Sequence, residues 1–292
     1  MKPVLILIAR PGSRALDSGV LETLHRFAPG TPGWLAEAEA LELPLASEAA
    51  GIEDALRHEL AGLPVDVAIV PGDNRRKQLL LADMDSTIIE QEVVDELAAA
   101  AGVGAAVSAI TTRTMRGELE FEPALVERVA LLEALPAAAI DSIIRDRITF
   151  APGGRTLVAT MKAHGAFTAI VSGGFTAFTG HVAETLGFDS HEANRLLIKD
   201  GRLTGRVAEP VLGRSAKVEV LKRLIVKLGI GIEEVIAVGD GANDIAMLRL
   251  AGLGVAFRAK PAVREAADVR IDHADLTALL YLQGYRKSEF VT

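Results

Sequence analysis

Two short runs of acids carry the first sign of chemistry in this chain. Asp83-Met84-Asp85-Ser86-Thr87 follows the apolar stretch Leu79–Ala82, and Gly239-Asp240-Gly241-Ala242-Asn243-Asp244 follows Val235–Val238. Carboxylates held this close repel unless a proton or a cation separates them. In open α/β sheets ligands bind beyond the carboxyl ends of the strands, which is where both runs would fall. A third apolar stretch ends in Val171-Ser172-Gly173-Gly174, supplying a hydroxyl and unhindered backbone N–H groups for an anion. Lys217 opens a helical pattern, where its charge opposes the helix dipole unless something anionic holds it. Taken singly these are ordinary features: an Asx turn or cap, a Ser-Gly-Gly turn, a solvated lysine. Taken together, in order along one edge of one sheet, they compose a phosphoryl-transfer site. Carboxylates with few other ligands suit Mg²⁺, which keeps waters and completes its shell from substrate phosphate.

Other chemistries are excluded by what the chain lacks. It has no cysteine, so disulfides, thiolate zinc sites and cysteine nucleophiles are out, and a reducing compartment fits. Its six histidines show no H-E-x-x-H spacing, so zinc is not expected. No G-x-x-x-x-G-K-[ST] loop is present, and Asp244 occupies the third glycine position of a dinucleotide fingerprint, where it would repel a pyrophosphate. A net charge of −8 disfavours a nucleic-acid partner. The apolar run Val4–Ala9 is broken by Arg10, and the longest uncharged stretch, Leu97–Thr112, is short and rich in small residues. No membrane partner is expected, and the reading is of a cytoplasmic protein acting on a small phosphomonoester.

The composition, 50% hydrophobic and 24% charged, is that of a folded protein of about two domains. The continuous apolar run Leu79–Ala82 and the further candidates Ala166–Val171, Val235–Val238, Gly254–Phe257 and Asp268–Ile271 read as strands of a parallel sheet. With helical patterns such as Leu221, Leu224, Ile225 and Leu228 between them, they predict an α/β fold with a parallel sheet. Between the first two lies a helical insertion, Gln91 to about Arg147, with Leu125, Val129 and Leu132 on its apolar face. A β-hairpin over Leu196–Val207 is predicted to turn at Asp200-Gly201. Ahead of these, residues 1–72 read as β-α-β-α-β, and Pro71 to Lys77, with Arg75, Arg76 and Lys77, reads as a solvated linker.

These motifs resemble the haloacid dehalogenase superfamily. Within it they are similar to the subgroup acting on phosphoserine, through Ser86, Val171-Ser172-Gly173-Gly174-Phe175, the Asp200-Gly201 hairpin with Leu203-Thr204-Gly205, and Ala259-Lys260-Pro261-Ala262. The resemblance covers about Leu79 to Ile271. It implies a Rossmann-like sheet with a helical cap at about 91–147 that closes over the site, in a phosphatase domain spanning 73–292. It also implies Mg²⁺-dependent hydrolysis of O-phospho-L-serine to L-serine and phosphate, the last step of serine biosynthesis. Asp83 would be the nucleophile, forming an aspartyl-phosphate, and Asp85 the general acid and then base. Asp83, the Asp85 carbonyl and Asp240 would hold the metal. Ser172, Gly173 N–H and Lys217 would gather the phosphoryl oxygens, with Asn243 and Asp244 in support.

For the serine moiety the resemblance implies Glu92 for the ammonium, Arg128 for the carboxylate, and Met115 and Phe121 as apolar contacts from the cap. Longer members carry an N-terminal domain similar to the amino-acid-binding ACT type, β-α-β-β-α-β. Residues 1–72 approximate it with one strand unread, for which Trp34–Ala38 is the candidate. An effector module, a homodimerisation module and a plain packing domain all stay open. Two other functions compete: a phosphatase or phosphotransferase acting on another small phosphomonoester, and a non-catalytic phosphoserine sensor.

Overall fold

The computed structural model describes residues 2–46, 51–116 and 118–292. In chain order the elements begin β1 (Pro3–Ala9), α1 (Ser18–Phe27), β2 (Gly33–Ala36), β3 (Ala40–Pro44), α2 (Ile52–Glu59) and β4 (Val65–Pro71). Next come β5 (Leu79–Ala82) and four helices, α3 (Val93–Ala101), α4 (Gly104–Met115), α5 (Phe121–Ala130) and α6 (Ala138–Asp146). After α7 (Gly154–Ala163) follow β6 (Phe167–Phe175), α8 (Thr176–Leu186), β7 (Ser190–Asn194), β8 (Leu196–Lys199), β9 (Arg202–Val207) and α9 (Ala216–Leu228). The chain closes with β10 (Val235–Gly239), α10 (Ile245–Leu250), β11 (Leu253–Phe257), α11 (Pro261–Ala266), β12 (Val269–Ile271) and α12 (Ala278–Leu282). Six strands run in the order β12-β11-β10-β5-β6-β7, with β10/β11, β11/β12 and β6/β7 parallel. No helix among the described residues is long and apolar enough to cross a membrane.

The chain divides into two compact units, Met1–Leu81 with Ala151–Thr168 and Leu228–Thr292, and Ala82–Phe150 with Ala169–Lys227. In the first, four strands take the order β2-β3-β1-β4, with β1 antiparallel to both neighbours. The segment is β-α-β-β-α-β, and the extra strand is Gly33–Ala36; the chain then turns through Ala38, whose φ of 56° ends it. Leu5, Leu7 and Ala9 of β1 pack with Leu24 of α1 and Leu56 of α2, as period-two alternation requires. The opposite face, Val4, Ile6 and Ile8, is also buried, and α12 lies against β1. Asp17 caps α1, its Oδ1 accepting from Gly19 N at 3.0 Å and Val20 N at 3.1 Å.

The same unit corrects the linker reading. Lys77 is buried and its Nζ donates to Asn74 O at 2.8 Å and to Glu233 O at 2.6 Å. Arg75 pairs with Glu42 at 2.6 Å and donates to the Tyr281 and Leu282 carbonyls, while Arg76 lies over the Tyr285 ring and pairs with Glu289. Three cations in a row are therefore fasteners, each reaching at least one carbonyl or carboxylate distant in sequence. Asp66 is buried in β4 and accepts from the N–H groups of Asp272, His273 and Ala274 just after β12. Burial raises its carboxyl pKa, against the pull of those three N–H groups. At the base of the six-stranded sheet, Gln78 N–H donates to Glu234 O and Phe167 N–H to Gln78 O, both at 2.8 Å, so β5, β10 and β6 start side by side.

In the second unit the insertion is helical as expected, α3 to α6, with Leu125, Val129 and Leu132 buried. The hairpin forms at the expected residues, and Asp200 and Gly201 both take positive φ, 50° and 72°, the two-residue turn that suits twisted strands. It is tied to the insertion by Ala134 N–H to Leu203 O and Leu203 N–H to Leu135 O, both 2.9 Å. At the stem of the insertion Glu90 N–H donates to Thr149 O, and the Gln91 amide clasps Thr149 through both its oxygen and its nitrogen. β7 is a strand the sequence pattern does not announce: Ser-His-Glu-Ala-Asn is mostly polar, as a sheet edge tolerates.

Candidate active site

Asp83 directly follows β5, and its geometry is fixed from two sides. Its Oδ1 accepts from Met84 N–H at 2.7 Å, and its Oδ2 lies 2.6 Å from Lys217 Nζ near the start of α9. Both side chains are buried, so the pair is a desolvated one in which attraction is little screened. Beyond Asp83 the chain curls tightly: Met84 O accepts from Ile88 N–H at 2.9 Å and Ile89 N–H at 3.0 Å, and Ser86 takes a left-handed φ of 53°. Ser86 Oγ then donates to Glu92 Oε1 at 2.8 Å, so the residue before α3 is bonded to the loop that follows Asp83.

Asp85 is the hub of the second unit's polar groups. Its Oδ1 accepts from Val93 N–H at 3.2 Å, and its Oδ2 from Ser172 Oγ at 3.3 Å. Burial, then the negative charges of Glu92 and Asp83, push its carboxyl well above the usual range, against Val93 N–H and Lys217. A shift in that direction favours the protonated carboxyl of Asp85.

The glycines after Ser172 have a steric reason. A methyl on Gly174 would sit 2.8 Å from Asp85 Oδ2 and 3.0 Å from both Ser172 Oγ and Val93 Cγ2; one on Gly173 would sit 2.8 Å from Phe121 Cζ. Phe121, the first residue of α5, thus rests on the Gly173 backbone. Arg128, about two turns further along α5, is half-buried, and its Nε donates to Ala124 O at 3.2 Å. Burial lowers its pKa, while Asp95, Glu92 and Asp85 raise it, so the guanidinium stands in the field of all three acids. Met115 ends α4, and its side chain lies outside the described residues.

The first unit holds the other acids. Asp240 follows β10 and its carbonyl accepts from Lys260 N–H at 3.2 Å; Asp244 is fully buried and its Oδ2 accepts from Gly241 N–H at 2.9 Å. Asn243 is half-buried, its Oδ1 turned toward Gly241. Asp83 in the second unit and Asp240 and Asp244 in the first are all buried carboxylates, donors of oxygen alone. Hard oxygen donors of this kind fit Mg²⁺.

Two residues escape the motif reading. Asn194, at the end of β7, is buried and bonded to both Gly173 and Leu212. Glu122 of α5 accepts from Arg214 N–H at 3.0 Å, and a side chain on Gly213 would overlap it. Neither a lone asparagine nor a glutamate beside Phe121 carries a sequence signal.

The haloacid dehalogenase-like hydrolase family model matches residues 80–249. A phosphoserine phosphatase of Streptomyces coelicolor is 46% identical over 240 residues, 82% of this chain; the chain spans only 58% of that protein. Among solved structures, a HAD family hydrolase from Salmonella enterica subsp. enterica serovar Typhi is 32% identical, with a TM-score of 0.85 over 96% of this chain and 98% of that one. A phospho-aspartyl intermediate analogue of a phosphoserine phosphatase is 44% identical, with a TM-score of 0.66 over 70% of this chain and 98% of that one.

Proposed function

Because the chain belongs to the haloacid dehalogenase-like hydrolase family, we propose that it is a phosphoserine phosphatase, hydrolysing O-phospho-L-serine to L-serine and phosphate. The observation that carries the reading is the pair of acids two residues apart with different partners: Asp83 Oδ2 lies 2.6 Å from Lys217 Nζ, while Asp85 accepts from Val93 N–H and Ser172 Oγ and has its carboxyl pushed upward by burial and by Glu92 and Asp83. Asp83 Oδ attacks phosphorus in line, the bond from phosphorus to the serine oxygen breaks, and Asp85 gives that oxygen its proton. The ionised Asp85 then takes a proton from water as the water attacks the aspartyl-phosphate, releasing phosphate and restoring both carboxyls. Lys217, Ser172 Oγ and the Gly173 N–H gather the phosphoryl oxygens. Glu92 receives the substrate ammonium and Arg128 its carboxylate, between the apolar contacts of Phe121 and Met115.

Asp83, the Asp85 carbonyl and Asp240 are the residues assigned to Mg²⁺, with Asp244 and Asn243 holding their surroundings in place. When bound, the ion supplies positive charge against the phosphoryl oxygens. The division into residues 1–72 and a phosphatase part 73–292 with a cap at about 91–147 belongs to the same proposal, as do a cytoplasmic location and a small-molecule substrate. An amino-acid effector or homodimer role for residues 1–72 is tested on the full chain by serine inhibition and by sedimentation. The main test is phosphate release from L-phosphoserine with and without Mg²⁺, beside Asp83→Asn and a panel of small monoesters. Metal-dependent preference for phosphoserine supports the reading; activity on the other esters alone would move the substrate and strip Glu92 and Arg128 of their roles.

A further inference from the structure

Asn194 lies within hydrogen-bond distance of both loops that carry the proposed phosphoryl-binding groups, holding one through its amide nitrogen and the other through both ends of its amide. Its Nδ2 donates to Gly173 O at 3.0 Å and to Leu212 O at 3.4 Å, and its Oδ1 accepts from Leu212 N–H at 2.8 Å. Leu212 belongs to the loop that runs into α9 and so to Lys217. Gly173 O is one end of a peptide whose other end, Gly174 N–H, donates to Ser172 Oγ at 2.8 Å. Ser172 Oγ in turn donates to Asp85 Oδ2. The result is one unbroken chain of hydrogen bonds from the Leu212 backbone, through the Asn194 amide and the Gly173–Gly174 peptide, to Ser172 and the Asp85 carboxyl. Asn194 is 2% exposed, so water does not compete for these bonds. Its place is fixed independently by β7, where it pairs with Phe175 at the end of β6.

We propose that Asn194 is a positioning residue for phosphoryl transfer, setting the spacing between the Ser172 hydroxyl and the loop that delivers Lys217. The inference rests on the hydrolase reading above and deepens it. Asn194 touches neither reacting atom; it acts by gripping the Gly173–Gly174 peptide, which orients the hydroxyl that faces Asp85. Only an amide of this length serves both loops. Aspartate keeps the acceptor for Leu212 N–H and replaces the donor to Gly173 O and Leu212 O with a second acceptor, so the path to Ser172 breaks at Gly173 O. Misplacement of this kind acts on the aligned, reacting state more than on substrate capture, which on this reading is borne by Glu92 and Arg128.

The experiment uses the full chain with Mg²⁺, and compares Asn194→Asp with wild type on L-phosphoserine and on p-nitrophenyl phosphate, which has no amino-acid moiety. The expected result is a fall in kcat of about tenfold or more on both esters with KM changed by less than about threefold. Inhibition by orthovanadate should weaken in parallel, while product inhibition by L-serine should not. Ser172→Ala and the double variant complete a cycle: because Asn194 acts through Ser172, the loss from Asn194→Asp should largely vanish when Ser172 is already alanine. Additive losses would overturn the proposal, since a general weakening of the fold would add. So would a kcat within about twofold of wild type. If wild type cleaves p-nitrophenyl phosphate and not phosphoserine, the substrate assignment fails, yet the positioning role is still decided on the former ester. If it cleaves neither, both readings fall.

Discussion

Lys217 Nζ and Asp83 Oδ2 meet 2.6 Å apart, each buried, at the point where the strand carrying the acid gives way to its loop. On the proposed mechanism a cation so placed orients the carboxylate that attacks and is in position for the charge that arrives with a phosphoryl group. Asp83→Asn should abolish phosphate release, because the amide cannot form the aspartyl-phosphate. Lys217→Ala should lower kcat by about 10²- to 10³-fold, the scale seen when one donor to a developing oxyanion is lost. Phosphate release on purified variants checks both, and near wild-type turnover by Asp83→Asn would remove it as nucleophile.

Arg128 is expected to act on one part of the substrate only. Arg128→Ala should raise KM for phosphoserine by about tenfold or more, the value of a charge-assisted hydrogen bond to a carboxylate. KM for a phosphate ester without a carboxylate should change little. Equal effects on the two esters, measured side by side, would take the carboxylate from Arg128.

Gly174 leaves room that the site needs. Gly174→Ala would bring a methyl to 2.8 Å from Asp85 Oδ2 and 3.0 Å from Ser172 Oγ, forcing one of them aside. The expected outcome is a kcat lowered by about 10²-fold, the effect of misplacing a catalytic group by about 1 Å. Wild-type kcat in a folded Gly174→Ala protein would show that this crowding is absorbed elsewhere.

Asp66 sets a pH dependence opposite to that of most carboxylates. Its folded pKa is raised above the ordinary 3.8, so between that value and its folded one the native state holds a proton the unfolded chain has released. Its contribution to stability is therefore fullest in acid and declines as pH rises through this window. Asp66→Asn cannot titrate, and offers one acceptor oxygen to three N–H groups; it should cost about 1–3 kcal/mol. Thermal unfolding at several pH values should show the wild-type margin over the variant narrowing as pH rises above 3.8. A constant margin would mean that Asp66 does not titrate in this window.

Much of this architecture is legible in the sequence because burial on both faces leaves a simple mark. Leu79–Ala82 and Val235–Val238 are unbroken apolar runs with acids just beyond them, and they lie in strands that Asp83 and Asp240 directly follow. The hairpin at Asp200-Gly201 is legible for a local reason, since both residues must take positive φ. β7 is not, because an edge strand bonded on one side needs no apolar alternation, and with it Asn194 is hidden. Arg75, Arg76 and Lys77 look like solvated charge because their partners, Glu42, Glu289 and the carbonyls of Glu233, Tyr281 and Leu282, are far away in sequence.

The packing of α12 against β1 bears on how the chain can be shortened. Leu279, Leu280, Tyr281 and Leu282 are all buried, and Tyr281 Oη donates to Glu39 Oε1 at 2.7 Å. Removing residues 1–72 to isolate the remainder would uncover a greasy C-terminal helix and strand its tyrosine. A truncated version would need new polar residues at those positions before it stayed dispersed in water, so solubility rather than catalysis would be the first property to fail.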